Sequence, residues 1–231
     1  MNEYSHRQRV IAALDHKTPD RVPRDLSGRV SSMMEGSYKA LKKYLNLDQC
    51  DYDTVNPDWF TVEEFDERIL QFFDIDFRRV FLKGGSEYEK IVREDGTWID
   101  ELGFTRQYSG IYGEMIDHPL RRAKDPEDIK KFKFYNAYDP ARVQGLRERI
   151  EYLYNETDYA IVAAGAVGGI CETCSWMRGF DQFSIDLMIN KKMAHAMLDK
   201  LATYYIELMD AFLSVVGPYV QMVEMADDLG G

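Results

Sequence analysis

Hydrophobic positions along the chain alternate between the three-to-four-residue spacing of helices and short unbroken apolar runs of strand length. Val10, Ile11 and Leu14 fall on one face of a segment that Ser5 caps, with Gln8 completing a capping box, so a helix is predicted from Ser5 to Leu14, ended by Thr18-Pro19. Arg21 to Gly28 reads as a first strand ending in polar residues, followed by an amphipathic helix from about Ser32 to Leu45. Phe65, Ile69 and Phe72 predict a helix over Thr61 to Phe73 with Thr61 as its cap, and Phe77 to Leu82 reads as a strand. From Tyr88 to Leu120 the pattern changes to alternation around Asp95-Gly96, which predicts a hairpin or small antiparallel insertion. Helices are expected over Lys124 to Lys131 and Pro140 to Tyr154. The second leads into Tyr159 to Gly165, whose apolar run makes it the clearest strand in the chain.

The remaining third is mostly helical. Cys171 to Gly179 and Gln182 to Met188 are short helical patterns. Met197, Leu201, Tyr205, Leu208 and Phe212 mark a long helix from Lys191 to Val216, ended by Gly217-Pro218. Tyr219 onward reads as a last buried strand that delivers Glu224, Asp227 and Asp228 at its carboxyl end. No repeat or flexible linker interrupts the pattern, so residues 1–231 are read as one α/β domain with an insertion around 88–120. Strands alternating with helices give about four parallel strands where a closed (β/α)8 TIM barrel needs eight, so the expectation is a barrel truncated to about half.

With 231 residues, 45% of them hydrophobic, the chain can bury a substantial core. Its formal net charge of −11 argues against nucleic acid or an anionic membrane as a partner, because phosphates would be repelled. No stretch nears the roughly 18 apolar residues of a membrane span, and the N-terminus has no signal-peptide pattern, so a cytoplasmic location is expected. Cys50, Cys171 and Cys174 are too few and too odd in number for a disulfide framework.

Candidate chemistry concentrates at strand ends, where parallel α/β proteins bind ligands. Glu224 and Asp227 are the first catalytic candidates, and Asp228 reads as a turn or helix cap. Arg24 and Asp25, at the end of the predicted first strand, could form an ion pair that presents one partner to substrate. Cys171-Glu172-Thr173-Cys174 has C-x-x-C spacing but no further ligand pattern, so a zinc site built on it alone is not expected. Its place after the 159–165 strand makes Glu172, Cys174 and Trp176 candidate pocket residues. His118 and His195 have no ligand partners in the sequence and read as ordinary surface or core histidines.

Four segments, RQRVIAALDHKTPDRVPRDLSG, EEFDERILQFFDIDFRRVFL, AIVAAGAVGGICETCSWMRGFDQFSIDL and VEMADDLGG, resemble the uroporphyrinogen decarboxylase superfamily. Within it the chain is more similar to the corrinoid-dependent methyltransferase branch than to the decarboxylases. Decarboxylases carry an Arg-Gln-Ala-Gly-Arg motif that grips substrate carboxylates, where this chain has Arg24-Asp25-Leu26-Ser27-Gly28-Arg29, one residue longer and acidic second. They also end their second strand on an aspartate, where Val80 to Gly85 offers no acid. The resemblance implies a TIM barrel and a methyltransferase that moves a methyl group from a small methoxylated or methylated compound to a corrinoid (cobalamin) carried by a partner protein. Glu224, Asp227 and Glu172 would then be catalytic, with Arg24, Asp25, Arg29, Cys174 and Trp176 binding substrate. Zinc, where the family uses it, sits on a His-x-Cys pair and a later Cys beyond this chain. The alternatives are a uroporphyrinogen decarboxylase, which needs no cofactor, and an inactive half-barrel.

Overall fold

The structure is a computed structural model, and it describes residues 4–28, 31–47, 54–56, 58, 61–110 and 112–229. In chain order the elements are α1 (His6–Leu14), α2 (Glu35–Tyr44), β1 (Thr54–Val55), β2 (Val62–Glu64), α3 (Glu67–Phe72) and β3 (Phe77–Phe81). Then come β4 (Thr97–Ile99), β5 (Thr105–Tyr108), β6 (Gly113–Asp117), α4 (Pro126–Lys131), α5 (Leu146–Glu156) and β7 (Ala160–Ala164). The chain continues through α6 (Ile170–Arg178), α7 (Phe180–Ile189), α8 (Lys191–Val216) and β8 (Met222–Val223). These elements form two compact units, each assembled from three stretches of chain.

The first unit comprises residues 1–81, 145–165 and 215–224. Its centre is a parallel sheet in the order β3-β7-β8, with Arg79 opposite Val162 and Val162 opposite Met222. Side chains alternate across a sheet, so Phe77, Arg79 and Phe81 share a face with Ala160, Val162, Ala164, Met222 and Glu224. Val10 of α1 packs with the apolar members of that face. The predicted Ser5–Gln8 capping box is present at the start of α1. Arg7 locks α1 to the end of α5 and the chain just after it by donating to the carbonyls of Leu153, Tyr154, Thr157 and Tyr159, at a place where the last carbonyls of a helix have no partner within it. A second apolar cluster gathers Tyr38, Val62, Phe65, Ile69, Leu70 and Ile75.

The second unit comprises residues 82–144, 166–214 and 225–231. The antiparallel sheet β4-β5-β6 occupies the 88–120 region, with a turn at 100–104 and the Ser109 amide donating to the Tyr112 carbonyl between β5 and β6. Its core joins Phe104, Leu120 and Ile129 to Cys174, Met177 and Phe183 and to the α8 stripe Met193, Met197, Leu201, Tyr204, Tyr205 and Leu208. Arg178 is buried at a hub, donating to Asp186 and to the carbonyls of Leu120, Arg121 and Ala123. Among the described residues no helix is long and apolar enough to cross a membrane.

Four predicted elements differ. Arg21 to Gly28 forms no strand: Pro23 lacks a donor, and Ser27 (φ 116°) and Gly28 (φ 85°) leave the extended region, so only the bridge Ser27↔Ser31 remains. The parallel sheet among the described residues therefore has three strands. The helix expected from Thr61 starts at Glu67, because Asp66 accepts from the Arg68 amide as its cap while Val62–Glu64 pairs with β1. Pro140 to Tyr154 divides into a 3-10 turn (Pro140–Val143) and α5, broken at Gly145, which takes φ 76°. The last strand is only Met222–Val223, whereas α8 spans Lys191–Val216 as its periodicity predicts.

Candidate functional site

Two adjacent arginines in β3 are carried into the sheet, and a buried guanidinium needs a carboxylate partner. Arg78, on one face, pairs with Glu67 at 2.6 Å and lies 3.5 Å over the Tyr159 ring. Arg79, on the other, donates from Nη1 and Nη2 to both oxygens of Asp25, each at 2.7 Å, and from Nε to Glu224 at 2.9 Å. This fork is the geometry in which arginine binds carboxylate most strongly. Burial works against the Arg79 charge, but the Asp25 and Glu224 bonds outweigh it and hold its pKa above the ordinary value.

Glu224 reaches this position because its amide donates to the Ala163 carbonyl, continuing the β8 register past its last residue. Gly28 passes directly over the cluster. A Cβ there would lie 2.6 Å from Arg79 Nε and 2.7 Å from Glu224 Oε2, so both its positive φ and its missing side chain are required. Asp25 and Glu224 are thus brought together through Arg79, which the sequence reading did not single out. The available signal was the pair of arginines inside an apolar strand.

Arg24 does not pair with Asp25. It exchanges backbone and side-chain bonds with Asp76 and its guanidinium lies 3.5 Å from Asp74, at the amino end of β3. That end carries an open cleft of about 580 Å³ lined by His6, Arg9, Asp20, Arg21, Asp74 and Asp158. Its charges are mutually engaged: Arg9 pairs with Asp20 and Asp76, Arg21 with Asp74 and Asp76, and the His6 ring with Asp74 and Asp158. Arg9 holds the Asp20 carboxyl down at about 2. Such a network at the amino ends of parallel strands serves stability. Arg29 lies outside the described residues.

In the second unit Asp227 has a structural task. Its two oxygens accept from the amides of Cys171 and Glu172, each at 2.9 Å, capping α6, whose N-cap Gly169 has no side chain to do so. A Cβ on Gly169 would meet Asp227 Oδ1 at 2.2 Å and its Cα at 2.6 Å, so glycine is needed for the carboxylate to enter. The sequence reading made Asp227 a catalytic candidate and Asp228 a turn residue or cap of a following helix; the structure gives Asp227 the capping of α6 and leaves Asp228 exposed. Cys174 is also corrected: it is fully buried in the α6–α8 core, so it does not line a pocket. Burial pushes its thiol up to about 12. Trp176 packs half-buried against the same core, and Glu172 sits half-buried in the first turn of α6.

The model of the family described as uroporphyrinogen decarboxylase (URO-D) matches residues 99–230. The chain belongs to the URO-D family. No curated protein and no solved structure matches it. For a URO-D protein, an enzyme of the decarboxylase or methyltransferase kind, the α/β architecture with a parallel sheet is the fitting frame. A resident zinc does not fit the described residues: they contain no group of three or more His, Cys, Asp or Glu able to hold a metal. Both thiols of the C-x-x-C pair are also pushed towards the protonated form by burial.

Proposed function

We propose that this URO-D protein is a methyltransferase that holds a small methoxylated or methylated compound at the carboxyl edge of the β3-β7-β8 sheet and passes its methyl group to a corrinoid carried by a separate protein. The observation that carries this reading is Arg79. The strand that ends on a substrate-holding aspartate in the decarboxylases here contributes a guanidinium, and each of its three nitrogens donates to Asp25 or Glu224. Asp25 and Glu224 occupy the fork with which Arg79 would otherwise grip the carboxylates of a polyacidic substrate, and the two acids would oppose one. Three parallel strands with helical crossovers support placing them as neighbouring staves of a (β/α)8 barrel, with the cluster at the mouth.

When present, the corrinoid supplies the electron pair that receives the methyl group. The chain's own work is positioning. Glu224 accepts a hydrogen bond from a hydroxyl or ammonium on the donor, which fixes the breaking methyl–heteroatom bond in line for displacement. The departing atom keeps the bonding pair and takes its proton from solvent. Glu172 belongs to the second unit and is given no part in this step.

The test mixes the purified protein with a reduced corrinoid protein and a panel of methoxyarenes and methylamines. Loss of the Co(I) absorption matched by formation of demethylated product is expected. No transfer across the panel ends this reading, and carbon dioxide release from uroporphyrinogen puts the decarboxylase in its place.

A further inference from the structure

Helices at a protein surface turn charge outwards, and α5 does so with Arg147, Glu148, Arg149 and Glu156. The ten-residue helix α7, in the second unit, does the reverse. Its inward side is fully engaged, with Phe183 in the core and Asp186 accepting from Arg178 and Gln182. Its outward side carries Phe180, Ile185, Leu187, Met188 and Ile189, and Met188 and Ile189 are 77% and 82% exposed. Residues 182–190 add no charge to that side, because Asp186, the one ionisable residue among them, is buried. Single exposed apolar residues are ordinary, but five within ten positions make a patch on the order of 500 Å², at the upper end of what a monomer exposes.

Charges of opposite sign bound the patch. Asp181 stands in the first turn of α7, paired with Arg121 yet still 65% exposed, and the exposed Lys191 and Lys192 follow the last turn. A helix of this pattern is complementary to itself run in the opposite direction. About a two-fold axis level with residue 186, two antiparallel copies set Asp181 of each against Lys191 of the other, Met188 over the small Ser184 of the other, and Ile185 beside Ile185 of the other. A parallel pair would bring like charges together. Both copies would bury about 1,000 Å² in total, the lower limit of a specific interface. We propose that α7 is a self-association surface through which two copies of this chain form a weak, antiparallel, two-fold dimer. The pairing does not depend on the methyltransferase reading.

The test is analytical ultracentrifugation of the full chain in physiological salt, which screens the net charge of −11 that each copy carries. A dimer is expected at about 100 µM, dissociating towards about 1 µM, the weak range for an interface this small. Met188→Glu, which puts a charge into the centre of the apolar face, should raise the dissociation constant at least about tenfold at unchanged Tm. Ile185→Cys should cross-link to its own symmetry mate on oxidation, with the 185–185 peptide identified by mass spectrometry. Phe180→Cys should not, because its mate lies about 18 Å further along the helix axis. A monomer at the higher concentration, a dimer indifferent to Met188→Glu, or cross-linking of Phe180→Cys in place of Ile185→Cys overturns the pairing. A monomer in which an added corrinoid protein shields Met188 from oxidation gives this face to that protein, and overturns the pairing as well.

Discussion

Replacing Asp227 with alanine separates a capping acid from a catalytic one. The carboxylate satisfies two amides in the first turn of α6, each at 2.9 Å, and the N-cap residue, Gly169, has no side chain to do so. Loss of an N-cap side chain costs about 0.5–2 kcal/mol, and loss of a negative charge at a helix N-terminus about 0.3–1 kcal/mol. Asp227 is half-buried, so the expected total is about 1–2 kcal/mol, or a fall in Tm of about 2–8 °C for a chain of this size. Asp227→Asn keeps one acceptor and should lose about half as much. Thermal unfolding followed by far-ultraviolet circular dichroism at pH 7 gives the number. Gly169→Ala, which drives a methyl group into Asp227, should reproduce the loss. If Asp227→Ala leaves Tm unchanged while abolishing methyl transfer, the capping argument is refuted and Asp227 returns to the catalytic list.

Arg7→Ala removes four bonds that close the end of α5 and should cost about 2–3 kcal/mol in urea unfolding; a change under about 0.5 kcal/mol would contradict that role. Asp20 is held at about 2 by Arg9, and Asp74 is lowered first by His6 and then by Arg21. Folded pKa values below the unfolded one of about 3.9 mean that their stabilisation is present above that pH and is lost as pH falls towards 2. Urea midpoints should accordingly drop between about pH 4 and pH 2 in the wild type, and less steeply in Asp20→Asn. The Cys174 thiol, buried and raised to about 12, should resist a disulfide reagent at pH 8 until the chain is unfolded; rapid modification in native protein, located by peptide mass spectrometry, would contradict its core placement.

Local interactions were legible in the sequence. The Ser5–Gln8 box, the Ala160–Ala164 strand and the Lys191–Val216 helix each follow from residues within a few positions of one another. The family likeness was legible as well, and the family model bears it out. Features settled by distant partners were not legible. Arg21 to Gly28 looks like a strand locally, but Arg24 answers to Asp74 and Asp76 and Asp25 to Arg79, and those bonds fix an irregular path. That Asp227 caps α6 depends on its carboxylate meeting Gly169, a contact 58 positions away that no periodicity encodes. Arg79 passed unnoticed because a pair of charged residues in an apolar run takes its meaning only from the acids that meet each of them.

The account stands on Glu224 as the acid that orients the methyl donor. The most direct measurement is kcat/KM for methyl transfer to the corrinoid protein by Glu224→Gln beside the wild type, with thermal unfolding of both recorded. The account predicts a fall of about tenfold or more, the effect of a lost charged acceptor, at nearly unchanged Tm. Wild-type kcat/KM in Glu224→Gln would contradict it.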